Sequence, residues 1–218
     1  MSKEVYIRER NEKLGKKVVN AFLQRHFDAY FCENKKAALS KALELIDKDD
    51  VIGWGGSISV GEIGLIDYLE NNGYKTLNRD KAQTPQEKLD ITKNSIFADV
   101  FLMSANAISK DGQLVNIDGT GNRLAALCYG PKKVIVIAGM NKVANNLDDA
   151  VLRARTIAAP VNMQRISKLY GNQTPCLENG TCYDCKNSDT ICAQFLTTRI
   201  CKPAGRISVI LVNEDLGF

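Results

Sequence analysis

Of the seven cysteines in this 218-residue chain, five lie between residues 176 and 201: Cys176, Cys182, Cys185, Cys192 and Cys201. The spacing Cys176-x5-Cys182-x2-Cys185-x6-Cys192 flanks a CxxC pair with two more thiols. A CxxC turn presents two thiolates to one metal, and four thiolates complete a zinc site or an iron–sulfur cluster. In a reducing compartment such clustering points to metal rather than disulfides. Zinc ribbons with four thiolates use two CxxC units, whereas one is present, and the common ferredoxin spacings do not match. An irregular set of thiolates on a loop suits an iron–sulfur cluster of the 4Fe-4S type, with zinc as the alternative. Cys201 reads as a spare or alternate ligand, and Cys32 and Cys128, set among apolar residues, as core fillers.

Two further stretches have the composition of binding loops. Gly53-Trp54-Gly55-Gly56-Ser57-Ile58-Ser59 joins an apolar run to a helical pattern. There Gly55 and Gly56 permit close backbone approach to an anion, and Ser57 or Ser59 adds a hydroxyl donor. The loop matches neither a P-loop nor a full GxGxxG, and a tight turn without ligand is the alternative. In Asn116-Ile117-Asp118-Gly119-Thr120-Gly121-Asn122-Arg123, Asp118 can orient a partner and Asn122 can donate and accept. Arg123 can clamp a carboxylate or phosphate, and the plainer reading is a turn at Asp118-Gly119 with Arg123 in a surface ion pair. Asn106, Asn141 and Lys142 follow two other strand-like runs and can face the same crevice. The single histidine, His26, falls in an N-terminal helical pattern, so no Ser-His or Cys-His pair can be built elsewhere. Among the acids only Glu62 is a candidate for proton transfer, and the catalytic group is otherwise open.

Apolar residues at 44% and charged residues at 25% are the balance of a soluble globular chain, which excludes disordered and collagen-like classes. No apolar run approaches the ~20 residues of a spanning helix, and the charged start is no secretory signal, so a cytoplasmic protein is expected. The net charge of +4 is small, and its basic residues are scattered as solvated faces, which argues against a nucleic-acid partner.

These residues must be positioned by alternating helices and strands. Residues 3–27 read as an amphipathic helix with Val5, Val18, Val19, Phe22 and Leu23 among its apolar positions. Strand-like runs follow at 28–32, 51–54, 74–77, 99–103, 107–108, 114–117, 133–138 and 206–212, with Lys110-Asp111-Gly112 as a hairpin turn. Helical patterns lie between them, among them one at 58–71, one at 147–158, and one opened by Pro160 and running to Leu169. Such alternation predicts one α/β domain over residues 1–218, with a mainly parallel, Rossmann-like sheet flanked by helices. A Cys-rich insertion over about 171–203 precedes its last strand.

The block from Ala98 to Arg123, with Ser104-Ala105-Asn106, Lys110-Asp111-Gly112 and Asp118-Gly119-Thr120-Gly121-Asn122-Arg123 inside it, resembles the signature of the lactate-utilisation (LUD) domain family. Tyr129-Gly130-Pro131-Lys132, Gly139-Met140-Asn141-Lys142 and Ala159-Pro160-Val161-Asn162 extend the resemblance, and the Gly53–Ser57 turn suits the family's glycine-serine loop. The resemblance implies a fold like that of glucosamine-phosphate deaminase, ribose-phosphate isomerase and CoA transferases, whose members bind anions at glycine-rich loops. It further implies a stand-alone LUD protein with a C-terminal Cys-rich segment. Such a protein would be a component of lactate-to-pyruvate oxidation beside iron–sulfur and oxidoreductase partners, binding a small carboxylate or phosphate. The alternatives are a non-catalytic redox-sensing or binding module, and a sugar-phosphate isomerase or acyl-transferase relative with structural zinc.

Overall fold

A computed structural model describes residues 2–218 of the chain. The elements run α1 (Lys3–Gln24), β1 (Asp28–Cys32), α2 (Lys35–Glu44), β2 (Val51–Trp54), α3 (Ile58–Glu62), α4 (Leu65–Asn71), β3 (Lys75–Leu77), α5 (Pro85–Asn94), β4 (Val100–Met103), β5 (Ala107–Ser109), β6 (Gln113–Asp118), α6 (Asn122–Cys128), β7 (Lys133–Gly139), β8 (Val143–Ala144), α7 (Leu147–Arg153), α8 (Ala159–Tyr170), α9 (Pro175–Asn179), β9 (Gln194–Thr198) and β10 (Ile207–Val212). Six strands form a parallel sheet in the order β1-β10-β7-β4-β2-β3.

The near-continuous apolar character of β4, β7 and β10 follows from burial on both faces. Alternate residues separate the two sides. Phe101, Met103, Val134, Val136, Val209 and Leu211 pack with Val18 and Phe22 of α1. Leu102, Ile135, Ile137, Ile210 and Val212 pack instead with Ala38 and Ala42 of α2 and with Leu65 and Leu69 of α4. Phe22 is fully buried, worth ~2–3 kcal/mol in apolar transfer. No described helix is long and apolar enough to cross a membrane.

Three features depart from the sequence expectations. The helical stretch at 58–71 is two helices, because Gly64 adopts φ +76° between them. Pro160 does not start a new helix: α7 runs through a π-helical turn, Ala154–Ala158, into α8, where Pro160 stands in the first turn and its missing N–H costs little. The 107–117 hairpin is the centre of a second sheet, β8-β5-β6-β9, whose last strand grows out of the Cys-rich segment. Side-chain placement also differs in part. Val5 and Leu23 of α1 are exposed, and so is Cys128, at the frayed end of α6, while Cys32 is buried as expected.

The main sheet has its switch point between β2 and β4. The chain leaves β2 toward β3 on one side and leaves β4 toward β7 on the other. Such a reversal opens a crevice beyond the carboxyl ends of the two strands, the usual ligand position in open α/β sheets. The loops after β2, β4 and β7 all open there.

Candidate functional site

Asp118 ends β6 with its carboxylate buried. Its Oδ1 accepts from the Gly119 amide at 2.9 Å, and its Oδ2 from the Arg123 amide at 3.1 Å. The same carboxylate faces the Arg123 guanidinium at 3.3 Å, and Arg123 Nη2 also donates to the Ile117 carbonyl at 2.6 Å. These bonds lay Arg123 across the glycine loop. A Cβ on Gly55 would stand 2.5 Å from Arg123 Cγ, so glycine is what admits the arginine there. A Cβ on Gly56 would lie 3.0 Å from Arg79 Nη2 and 3.7 Å from Arg165 Nη2. Three guanidinium groups thus meet at one loop.

Arg123 and Arg165 line two adjoining cavities, of about 250 Å³ and about 50 Å³. The larger also takes in Arg79, Lys88, Asp118 and Asn122, and the smaller takes in Ser57, Ser59, Ser104 and Lys142. Asp118 is the one side-chain carboxylate among their linings, and Phe218 also lines the smaller cavity. Arg79 Nε is buried without a partner, and Arg165 Nε donates to Asn162 at 3.0 Å. Burial pulls Arg165 below the ordinary arginine pKa; Arg123 and Arg79 pull the same way, against Tyr170 and Asp80. Like charges held together in a partly dry crevice favour an anion between them.

Lys142 forms the floor of the smaller cavity. Its Nζ is bonded to Ser104 Oγ at 3.0 Å, Ser59 Oγ at 3.1 Å and the Ala105 carbonyl at 3.1 Å. Burial, reinforced by Arg153 and Arg123 and opposed by Glu62, lowers its pKa to about 7.

The Cys-rich segment stands against the other side of α8. Cys176, Cys182, Cys185 and Cys192 line one cavity of about 50 Å³, with Met163, Phe195 and Arg155. Burial pushes the Cys192 thiol up to about 11, and Cys182, Cys176 and Cys185 add to the rise. Asp184 turns the CxxC loop with φ 51° and aims its amide at Cys182 Sγ, 3.5 Å away. Arg155 pairs with Asp184 at 2.5 Å and lies 5.8 Å over the Phe195 ring, tying the loop to the π-helical turn. Among the described residues, no three His, Cys, Asp or Glu side chains are drawn tightly enough together to hold a single metal ion as they stand. Cys201 lies apart, buried in the main core with its Sγ 3.1 Å from the Pro203 carbonyl. The β6–β9 ladder joins the two regions, since the amide of Ala193, next to Cys192, donates to the Asp118 carbonyl at 3.0 Å. Ala159 and Ile191 face both cavities.

The family model for the LUD domain matches residues 15–212. The chain belongs to the LUD domain family. Its fold is that of a DUF162 family protein from Deinococcus radiodurans, solved at 1.70 Å resolution, at a TM-score of 0.52 and 11% identity, over 93% of this chain and 98% of that one. Comparison with curated proteins gave no significant match.

Within this LUD domain most of the residues singled out in the sequence converge. Gly56, Ser57, Ser59, Asp118, Gly119, Asn122, Arg123 and Lys142 line the crevice, Gly55 packs against Arg123, and Gly121 begins α6 beside it. Asn106 also lines it, with Oδ1 accepting from the Ile117 amide at 2.9 Å. Two residues have other work. The Asn141 side chain holds the backbone of Leu216, at 3.1 Å to its amide, and Glu62 accepts from the Gly217 amide at 2.8 Å. Arg79, Ser104 and Arg165 were not legible as site residues. Asn162, Arg165, Ile166 and Tyr170 do fall on one face of α8 by helical spacing, which is a usable signal. Arg79, in a short turn after β3, carries none.

Proposed function

We propose that this LUD-domain protein binds a small carboxylate of the 2-hydroxy or 2-oxo acid class in the crevice after β2, β4 and β6. At the level of the family it is associated with lactate utilisation. The observation that carries the reading is the meeting of Arg79, Arg123 and Arg165 at one glycine loop with Asp118 as the one acidic side chain among the linings. Arg123, braced by Asp118, offers a guanidinium that cannot swing away, which suits bidentate hold of a carboxylate. Ser57 and Asn106 supply neutral hydrogen bonds beside it.

The reading includes a metal centre on Cys176, Cys182, Cys185 and Cys192. The chemistry of the donor set supports it: four thiols line one mostly apolar cavity, and they would close in on the metal as it binds. Burial and the neighbouring cysteines disfavour the Cys192 thiolate, and a bound metal would offset that cost by taking its charge. An iron–sulfur cluster there would accept or give single electrons, and zinc remains the alternative occupant. The Asp184 amide on Cys182 would stabilise the thiolate whichever metal is held.

The test is ligand-dependent thermal stability of the purified protein. Lactate, pyruvate or inorganic phosphate should raise Tm, because a ligand of the native state stabilises it by mass action. Arg123→Ala should remove the rise. An unchanged rise in that variant, or none in the parent protein with any of the three, refutes anion binding at this crevice.

A further inference from the structure

The least expected group in the crevice is a lysine without a counter-ion. Lys142 is 4% exposed, and among the described residues no carboxylate forms an ion pair with it. Arg153 from α7, Arg123 from α6 and Glu62 from α3 act on its charge, and Arg165 of α8 and Phe218, with its α-carboxylate, line the same cavity. The Glu62 carboxylate is engaged with the Gly217 amide. A structural lysine carries its charge to water or to an acid, and this one does neither. A lysine desolvated beside other cations is instead the setting in which an amine becomes a nucleophile at neutral pH.

We propose that Lys142 is a reacting amine, whose Nζ forms a reversible imine with the carbonyl carbon of a 2-oxo acid held by Arg123 and Arg165. The inference rests on the anion-binding reading above and assigns that site a covalent chemistry. A 2-oxo acid carries its carboxylate and its carbonyl on adjacent carbons, and the two arginines and the amine line the same small cavity. The nitrogen lone pair adds to the carbonyl carbon while the C–O π pair moves to oxygen. The proton lost by nitrogen passes to that oxygen and gives a carbinolamine. Expulsion of the hydroxyl as water, with loss of the second N–H proton, then leaves the C=N bond, and nothing is oxidised or reduced. Ser59 and Ser104, both hydrogen-bonded to Nζ, can each accept and donate and so can carry these protons. With about half of the amine neutral at pH 7, the addition needs no external base.

The full-length protein is incubated with pyruvate, 2-oxobutyrate or 2-oxoglutarate, reduced with sodium borohydride, and its peptides are weighed. One reduced adduct on the peptide containing Lys142 is expected with at least one acid, with a yield that is half-maximal near pH 7 and then level. Lys142→Met, shown by circular dichroism to be folded, should give none. The proposal is overturned if no acid gives an adduct, if the adduct spreads over exposed lysines such as Lys16 and Lys75, or if the yield climbs with pH as an ordinary amine's would. A missing adduct beside a pyruvate-dependent rise in Tm removes this inference alone. Loss of both removes the anion-binding reading as well.

Discussion

Replacing Lys142 with methionine turns the burial of that amine into a measurable pH dependence. In the folded protein the group has a pKa of about 7, against 10.5 for an ordinary lysine. Below pH 7 both the folded and the unfolded chain hold the proton, and the net cost of keeping the buried amine charged, ~5 kcal/mol, is present in full. Between the two values the unfolded chain binds the proton and the folded one does not. Stability therefore rises with pH across that window and levels off above it. From about pH 7.5 to about pH 9.5 the parent protein should gain ~2.5 kcal/mol relative to Lys142→Met. The difference between the two proteins is the useful quantity, because the tyrosines, cysteines and other lysines titrate in both and cancel. Urea unfolding at three or four pH values in that range, under conditions where both proteins unfold in two states, gives the curve directly. Parallel pH profiles would show that Lys142 stays protonated in the native state, and the argument from its burial would then be wrong.

Two other perturbations separate the crevice from the thiol cavity. Gly55→Ala places a methyl group 2.5 Å from Arg123 Cγ, well inside van der Waals contact, so Arg123 must leave its bonds to Asp118 and Ile117. Anion affinity should fall ~10-fold or more, read as loss of the Tm rise, with the far-ultraviolet spectrum unchanged. A Cys182→Ser/Cys185→Ser variant purified without oxygen should lose the iron and sulfide, or the zinc, that elemental analysis finds in the parent. Equal metal content in the two proteins would refute the thiol site.

Local chemistry was readable along the chain. Asn34 caps α2 by accepting from the Ala37 amide, and Thr84 caps α5 from Glu87, as their positions before helical patterns suggest. The uninterrupted apolar run of β7 announced a strand covered on both faces. The 110–112 turn and the strands it joins were equally plain. Two expectations failed at helix ends, where the path of the backbone decided the outcome. Pro160 normally marks a helix start, yet in the first turn of α8 it lacks only a hydrogen bond that the π-helical turn before it makes dispensable. Cys128 stands in an apolar stretch, but the helix end turns it outward.

The sequence by itself determined most of the helices and the strands of the main sheet, which family the chain resembles and which cysteines are grouped. Each of those depends on interactions among residues a few positions apart. The tertiary structure alone decided that Arg79 and Arg165 join Arg123, that Lys142 is buried without an acid, and that Asn141 and Glu62 secure the residues after β10. It decided too that the thiol cavity and the crevice share Ala159 and Ile191 as a wall. Charge and burial at a site are sums over groups brought from separate strands and helices. No local pattern records those sums until the sheet order has set the groups side by side.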